Sequence, residues 1–549
     1  MNSKSKIDGE LAAVVIVGGG PTGLALAIEL GTLGISCAVF EQNADTSSFP
    51  KASANGARTL EHYRRLGIVD DIRRVGFAHE TAYFTRLAGY ELARLRLSGM
   101  SSLTRADRVS GTWFTPEMPQ RMQQIRVEKV LREKAQNLPA VSLHYGCRVD
   151  TVSDLGDGVE FAVEDIATGQ IKNFRSQFAV GCEGSRGIVR RALGIRYSGE
   201  GAADREFMGG QMVSTYFRAP ALYSSSAGAP ATMYWTFNNS RRAVLISANG
   251  RDEFFMFSQV GRGEELADEA AREFVTTAMG METPVEIIAS KPWTAGYSLV
   301  AERYGAGRLF IAGDAAHLFT PTGGFGYNTA VDDIANLAWK LAARIQGWGG
   351  SALLSSYEQE RLPIAARNTD FASTLSDNIG KITIPSTIED DSPAGIAARQ
   401  DLGRVCFEHA LLEFDSPGIQ LGVCYSASDI VSSDGSVQPD NPNRYVPSTT
   451  PGARLPHVWL DESTSTLDKV RGTFTLFNLA KATADVSPLA DAAKSLNIPF
   501  TVVELAIDEV RDTLGQDLVL VRPDQHIAWR GNSLPAKPEA LLRKVTGWE

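Results

Sequence analysis

The sequence predicts an α/β protein that combines a βαβ unit turned on glycines with an antiparallel sheet, and three observations predict it. A β-branched run, Leu11–Val17, passes through clustered glycines into the Ala/Leu-rich stretch Pro21–Leu33 and then a second β run, Ser36–Phe40. That order reads as strand, tight turn, helix, strand. Val213–Phe217, Thr232–Phe237, Arg242–Ala248 and Glu253–Val260 resemble strands of an antiparallel sheet with one polar face. Arg308–Ala312 is another short buried strand, followed by a second glycine-rich loop and a helix, Asp332–Arg344.

The other elements follow in order. Gln123–Ala135 reads as a helix with Ile125, Val130 and Leu131 as apolar positions, and Ala140–Val149 and Phe174–Val180 read as strands. Ser356–Arg367 is a Glu/Arg-bearing helix. Ile379–Tyr445 is poorly periodic, with Ser, Asp and Pro clusters, and reads as linker with some helix. Beyond Pro451, strand signals return at Thr473–Leu479 and Phe500–Leu505, with Leu518–Val521 and His526–Trp529 as a hairpin.

Composition bounds the function. The 549 residues leave room for about three or four domains, and 43% hydrophobic with 21% charged residues excludes wholesale disorder. Fifty-four basic against 64 acidic side chains give a net charge of −10, which argues against nucleic acid or an anionic membrane as partner. No apolar run approaches the ~18 residues of a membrane span, and the polar start, Met1–Glu10, lacks the features of a signal peptide. The five cysteines (Cys37, Cys147, Cys182, Cys406, Cys424) are scattered without CxxC spacing. That fits a reduced, cytoplasmic protein with no structural metal and no dithiol redox centre.

Two segments carry chemistry. Gly18-Gly19-Gly20-Pro21-Thr22-Gly23 fits GxGxxG between a strand and a helix. Gly18 permits the tight turn, Gly20 lets a pyrophosphate approach the backbone, and Gly23 lets helix and strand pack closely. The helix N-terminus then offers free N–H groups to the phosphates, Pro21 and Thr22 opening its first turn. Glu41, 18 residues beyond Gly23, stands where a ribose-binding acid is expected. This turn alone leaves FAD and NAD open. The second segment, Arg308 through Gly313-Asp314 to His317, continues into Pro321-Thr322-Gly323-Gly324-Phe325-Gly326-Tyr327-Asn328. Asp314 ends a buried strand, where its carboxylate could accept from a flavin ribityl chain; an N-cap acid is the competing reading. The glycines could set backbone N–H groups against a flavin ring. His317 is expected to be a packed histidine.

Together these segments resemble the class A flavoprotein aromatic hydroxylases, FAD-dependent monooxygenases related to para-hydroxybenzoate and phenol hydroxylases. The resemblance covers nearly the whole chain. Asn336–Ala342 and Tyr357–Pro363 are similar to the family's helical segment after the Gly-Asp motif. Pro451–His457, Val521–Asp524 and Trp529-Arg530 resemble the thioredoxin-like C-terminal domain of longer members. Four departures stand out. Glu183 and Gly187, in Cys182-Glu183-Gly184-Ser185-Arg186-Gly187, replace the usual Asp and Ser. Lys51 stands for a common Arg, keeping the charge but losing the bidentate fork. Phe325 stands for a common Gln beside the flavin.

The resemblance implies a Rossmann-like FAD-binding domain (1–75, 120–190 and 295–375) interleaved with an antiparallel-sheet substrate domain (76–119 and 191–294). A helical linker region (376–447) and a thioredoxin-like domain (448–549) complete the chain. It implies FAD as cofactor, NADPH or NADH as co-substrate, and a small aromatic substrate and O2 as partners. A homodimer is one role for the C-terminal domain. Besides Gly18, Gly20, Pro21, Thr22, Gly23 and Glu41, the cofactor set takes in Gln42, Lys51, Gln124, Val149 and Glu183. Its flavin side takes in Asp314, Pro321, Gly324, Phe325, Gly326 and Asn328. Tyr216, Tyr234, Trp235 and Phe237 are candidates to line the substrate pocket, with ordinary strand packing as the competing reading. No residue can be named for deprotonating a phenol; His79 and Tyr83 lie in a segment that crosses to the substrate domain in this family.

The implied reaction hydroxylates a phenolic or catechol ring, nitrocatechols included, through a flavin C4a-hydroperoxide, using no protein nucleophile. Bulky polyketide or indole-derived substrates are the alternative, and a non-catalytic nucleotide-binding escort protein is the alternative of another class. The absence of CxxC argues against a disulfide reductase, and the absence of Gly-Trp-x-Trp against a flavin halogenase.

Overall fold

A computed structural model describes residue 9 and residues 11–99, 103–105, 112–201, 210–261, 267–480 and 484–548; apart from residue 9, the polar start Met1–Glu10 lies outside them. A six-stranded sheet carries the first glycine turn. Its order is Gly305–Ala306, Leu309–Ile311, Phe178–Gly181, Val14–Val17, Cys37–Glu41, Val141–Tyr145, parallel except for the first pair. Val14, Val15 and Ile16 are almost wholly buried, as a central parallel strand with both faces covered must be. The helices Pro21–Thr32 and Phe325–Gln346 lie in this core.

Two expected strands are each broken in two. Ala140–Val149 divides at Gly146 (φ 70°) into Val141–Tyr145, in the parallel sheet, and Cys147–Asp154, in a separate three-stranded meander. Phe174–Val180 divides in the same way between Ile171–Ser176 and Phe178–Gly181.

The second large sheet has seven strands in the order Glu286–Ala295, Gly210–Arg218, Glu253–Gln259, Arg242–Ser247, Met233–Phe237, His79–Phe84, Glu91–Ser98. It is antiparallel except where Met233–Phe237 runs parallel to His79–Phe84. The expected polar face does not exist, because both faces are covered. Phe84, Tyr234, Leu245 and Met256 pack with helix Asp268–Met279 on one side. Tyr83, Trp235, Phe237 and Phe255 pack with Leu402, Cys406 and Phe414 on the other.

Those last residues belong to a 22-residue helix, Pro393–Phe414, capped by Ser392 accepting from Gly395 N–H. It lies inside the segment expected to be mostly linker. Gly403 lets it approach the sheet, since a Cβ there would sit 2.3 Å from the Leu92 carbonyl oxygen.

The C-terminal sheet runs Phe500–Glu504, Phe474–Asn478, Leu518–Val521, Ile527–Gly531, one parallel pair and two antiparallel. Buried charges join it to the helices behind the glycine turns. Glu360 accepts from Arg522 at 2.6 and 2.9 Å, from Lys340 at 2.7 Å and from Ser428 at 2.6 Å. Burial alone would raise the Glu360 carboxyl, but Arg522 and Lys340 hold it well below the usual range. Arg454 grips Glu61 in the same manner.

Candidate functional site

At the first turn, Gly18 has φ 105°, and a Cβ on it would meet the Cys182 carbonyl oxygen at 2.6 Å. A Cβ on Gly23 would lie 1.9 Å from the Gly18 oxygen, so helix and strand touch backbone to backbone. Gly20 differs from both: a Cβ there would meet nothing within 4 Å, because it faces open space. Helix Pro21–Thr32 begins at that opening with no side-chain cap and no acidic residue in its first turn. Its free N–H groups and positive dipole end therefore face the gap. Glu41 closes one side, Oε2 accepting from Gly19 N–H at 2.8 Å and Oε1 from Asn43. One lone-pair position on Oε2 remains for a ribose hydroxyl. Gln42 beside it is exposed. Val149 is buried beside a bulge in the meander, and its side chain belongs to the core.

Asp314 sits in the short 3-10 turn Gly313–Ala315. Its side chain is solvent-accessible, yet the protein around it raises its carboxyl, an effect that His317 and Lys51 partly offset. No hydrogen bond from the described residues reaches the carboxylate; only its backbone oxygen is used, accepting from Tyr197. The N-cap reading therefore does not apply. Lys51 is exposed, and its charge reaches both Asp314 and Glu128. Gln124 donates to Glu128 at 2.5 Å and borders, with Ser53, Asn55, Met122 and Tyr327, a crevice too tight to admit a water molecule. His317 is wholly buried, with Nε2 bonded to Asp333 at 2.7 Å.

Four expected contacts point elsewhere. Glu183 turns back on its own loop, where Oε1 accepts from Val189 N–H at 2.7 Å and so caps the helix Ile188–Ala192. A Cβ on Gly187 would lie 2.8 Å from that Oε1, so the longer acid and the missing Cβ accommodate each other. Phe325 is buried among Phe371, Ala372, Leu375 and Ile419 and forms no wall of the cleft. Asn328 is saturated: Oδ1 accepts from Gly56 and Thr59, and Nδ2 donates to the Ala54 and Gly324 oxygens. It ties the second turn in place with no hydrogen bond to spare. Tyr234 faces helix Asp268–Met279, on the side of the sheet away from the glycine turns.

Pro321, Gly324 and Gly326 do form that turn. Gly324 (φ 66°) passes so close to Ala54 that a Cβ would sit 2.5 Å from the Ala54 Cβ. Phe237, Trp235, Tyr83 and His79 lie on the sheet face toward helix Pro393–Phe414. Tyr216 donates to Glu253 and borders a cleft of about 300 Å³ with Ser47, Arg126 and Lys129. Sequence reasoning missed Glu413 and Arg121. Glu413 accepts from Gly323 N–H at 2.7 Å and thereby joins helix Pro393–Phe414 to the second glycine turn. It lies in the segment read as linker, and Arg121 carries no motif signal.

The FAD binding domain family matches residues 11–372, and the family described as aromatic-ring hydroxylase, C-terminal, matches residues 448–548. The tetracenomycin B2 monooxygenase-dioxygenase of Streptomyces olivaceus is 30% identical, with 97% of each chain covered. The 4-methyl-5-nitrocatechol 5-monooxygenase of Burkholderia sp is also 30% identical, with 96% of each covered. Among solved structures, the rebeccamycin biosynthetic enzyme RebC with reduced flavin superposes with a TM-score of 0.89 at 31% identity, covering 98% of this chain and 100% of that one. Among the described residues no helix is long and apolar enough to cross a membrane, and no three His, Cys, Asp or Glu side chains group as a metal site.

Proposed function

The chain belongs to the FAD binding domain family of aromatic-ring hydroxylases, and from that premise we propose that it uses NADPH or NADH to place one atom of O2 on a compact phenolic or catechol ring, nitrocatechols included. The observation that carries this reading is a convergence. Gly20 faces open space, the charge of Lys51 reaches the solvent-accessible and unpartnered Asp314 carboxylate, and Gly323 of the second turn is bonded to the helix that covers the aromatic sheet face.

These residues fit FAD. The space beyond Gly20 and the first-turn N–H groups would take the pyrophosphate, with Lys51 adding charge. Glu41 Oε2 would take a ribose hydroxyl and Asp314 a hydroxyl of the flavin side chain. Bound FAD supplies hydride acceptance from the nicotinamide and activation of O2. The chain's own part is to hold the ring, orient it and exclude water. Tyr83, Trp235 and Phe237 stack with near-parallel rings and form a dry layer directly beneath helix Pro393–Phe414. The domain division given above, and a cytoplasmic location, are parts of the same proposal.

One observation favours the larger substrates: the likeness to RebC, whose description is biosynthetic. Helix Pro393–Phe414 packs directly on the aromatic face, so a ring seated there displaces it, and a multi-ring substrate demands the larger displacement.

The test uses ¹⁸O2 with a panel of phenols that stimulate NAD(P)H oxidation. Label in the new ring hydroxyl is the expected result. A broad panel yielding only peroxide overturns the reading.

A further inference from the structure

Arg121 is a buried cation without a close counter-ion. It is 4% exposed, yet its guanidinium meets only Ser53 Oγ at 3.3 Å, Met233 Sδ at 3.0 Å and the Phe414 ring at 5.0 Å, and Nε has no partner. The other deeply buried arginines behave differently. Arg361 is bonded to Asp333 at 2.8 Å and Arg522 to Glu360 at 2.6 Å, and Arg454 grips Glu61. A buried guanidinium left with a sulfur, a hydroxyl and a ring is costly unless an anion completes it.

The surroundings point the same way. Tyr83 Oη is buried with no hydrogen bond. Glu413 Oε2 and His409 Nε2 lie 3.2 Å apart but are not aligned, and neither is hydrogen-bonded. Glu413 acts on Arg121 only through space, and its Oε1 is committed to Gly323. Burial pulls Arg121 down to about 10, His79 is held neutral by burial and by Arg121, and burial with Glu413 raises Tyr83. Arg121 pairs across a short ladder with Ala54, the residue against which Gly324 packs. The guanidinium thus stands between the second glycine turn and the aromatic face of the sheet, where several orphaned polar atoms meet. Such a cluster calls for a polar ligand.

We propose that Arg121 binds the ionised oxygen of the aromatic substrate, so that the site selects acidic phenols, taken as phenolates, over neutral rings of the same size. This rests on the hydroxylase reading. A phenolate oxygen accepts from the guanidinium fork, while the ring lies against Phe414 and the sheet aromatics.

The test is calorimetric titration of the oxidised holoenzyme with para-nitrophenolate and with para-nitroanisole, which has the same ring but cannot ionise. The wild type should favour the phenolate roughly tenfold to hundredfold, the range of one charge-assisted hydrogen bond. Arg121→Met should bring that ratio near one and leave nitroanisole affinity and FAD content unchanged. Its melting temperature should hold or rise, because an unpaired buried charge is gone. Arg121→Gln repeats the comparison should the first variant fold poorly. A preference that survives either substitution, or is missing in the wild type, overturns the inference. So does a marked fall in melting temperature in both variants, which marks a structural arginine. Oxygen labelling reads the reaction separately. Labelled product without phenolate preference sinks this inference alone. An Arg121-dependent preference without labelled product leaves Arg121 standing as an anion site and sinks the hydroxylase reading.

Discussion

Gly187→Ser should destabilise the wild-type protein and stabilise a Glu183→Asp variant. Gly187 is the N-cap of helix Ile188–Ala192, at φ −50° and ψ 132°, a conformation any residue adopts. Serine at an N-cap is ordinarily worth a few tenths of a kcal/mol over glycine. Here its Cβ would lie 2.8 Å from Glu183 Oε1 and 3.0 Å from Cδ. The carboxylate is the end of a flexible side chain and can swing away, but only by giving up its bond to Val189 N–H. Losing a charge-assisted bond of about 1.5–3 kcal/mol, and regaining a few tenths from the serine cap, leaves a net loss of about 1–2.5 kcal/mol. In the Glu183→Asp background the carboxylate recedes by a methylene, the Gly184 carbonyl oxygen, 3.1 Å from the Cβ, is the remaining tight contact, and the serine gain of a few tenths returns as that loop gives slightly. The two changes should therefore couple by about 1.5–3 kcal/mol. For a chain of 549 residues the unfolding entropy is about 1.2 kcal/mol/K, so each kcal/mol moves the melting temperature by about 1 °C. Replicate melts of the four proteins resolve that change in sign, and hydrogen exchange over residues 181–195 localises it. Additive effects in the two backgrounds would refute the reasoning.

Three further outcomes follow from the same geometry. Gly20→Val should yield folded protein with little flavin, whereas Gly23→Ala should fold poorly because its Cβ falls 1.9 Å from the Gly18 oxygen; soluble yield and absorbance separate the two, and full flavin in Gly20→Val contradicts the site. Asp314→Ala should weaken FAD by roughly tenfold to hundredfold, one charge-assisted hydrogen bond, read by equilibrium dialysis; equal affinity would remove Asp314 from the cofactor contacts. Burial pushes His526 down to about 4, Asp524 opposing and Arg58 and Arg522 assisting. The unfolded imidazole, near 6.5, therefore takes up its proton first on acidification. The stability contributed is full above about pH 6.5 and is lost towards about pH 4, about 3 kcal/mol at most. His526→Asn should flatten melting temperature against pH in that window, and an unchanged slope contradicts the assignment.

What could be read from the sequence was local. Gly18 to Gly23 and Gly313-Asp314 are contiguous runs whose strand and helix neighbours can be read directly, so the parallel sheet and its turns were legible. Glu183 and Gly187 were visible as departures, but not that they face each other, because that depends on how a loop folds back. Phe325 looked like a change beside the flavin; only the packing of Phe371 and Ile419 shows where its ring goes. Strand alternation suggested a polar face on the second sheet, yet the cover comes from helix Pro393–Phe414, far along the chain, in which Gly395 and Gly403 weaken the helical signal. Arg121 was beyond reach, since an unpaired buried cation is defined only by what is missing around it.

Glu360 has a consequence for how the protein is made. Its partner Arg522 lies 162 residues downstream. On a ribosome adding about 5–20 residues per second, the helix with Glu360 and Lys340 waits about 10–30 s for that arginine. During the delay the nascent chain has a parallel sheet whose backing helices hold an incomplete charge cluster, and its interior cannot close. Cofactor capture should therefore come late in synthesis, and a message cut short before the last hundred codons should yield a client for chaperones, not a smaller enzyme.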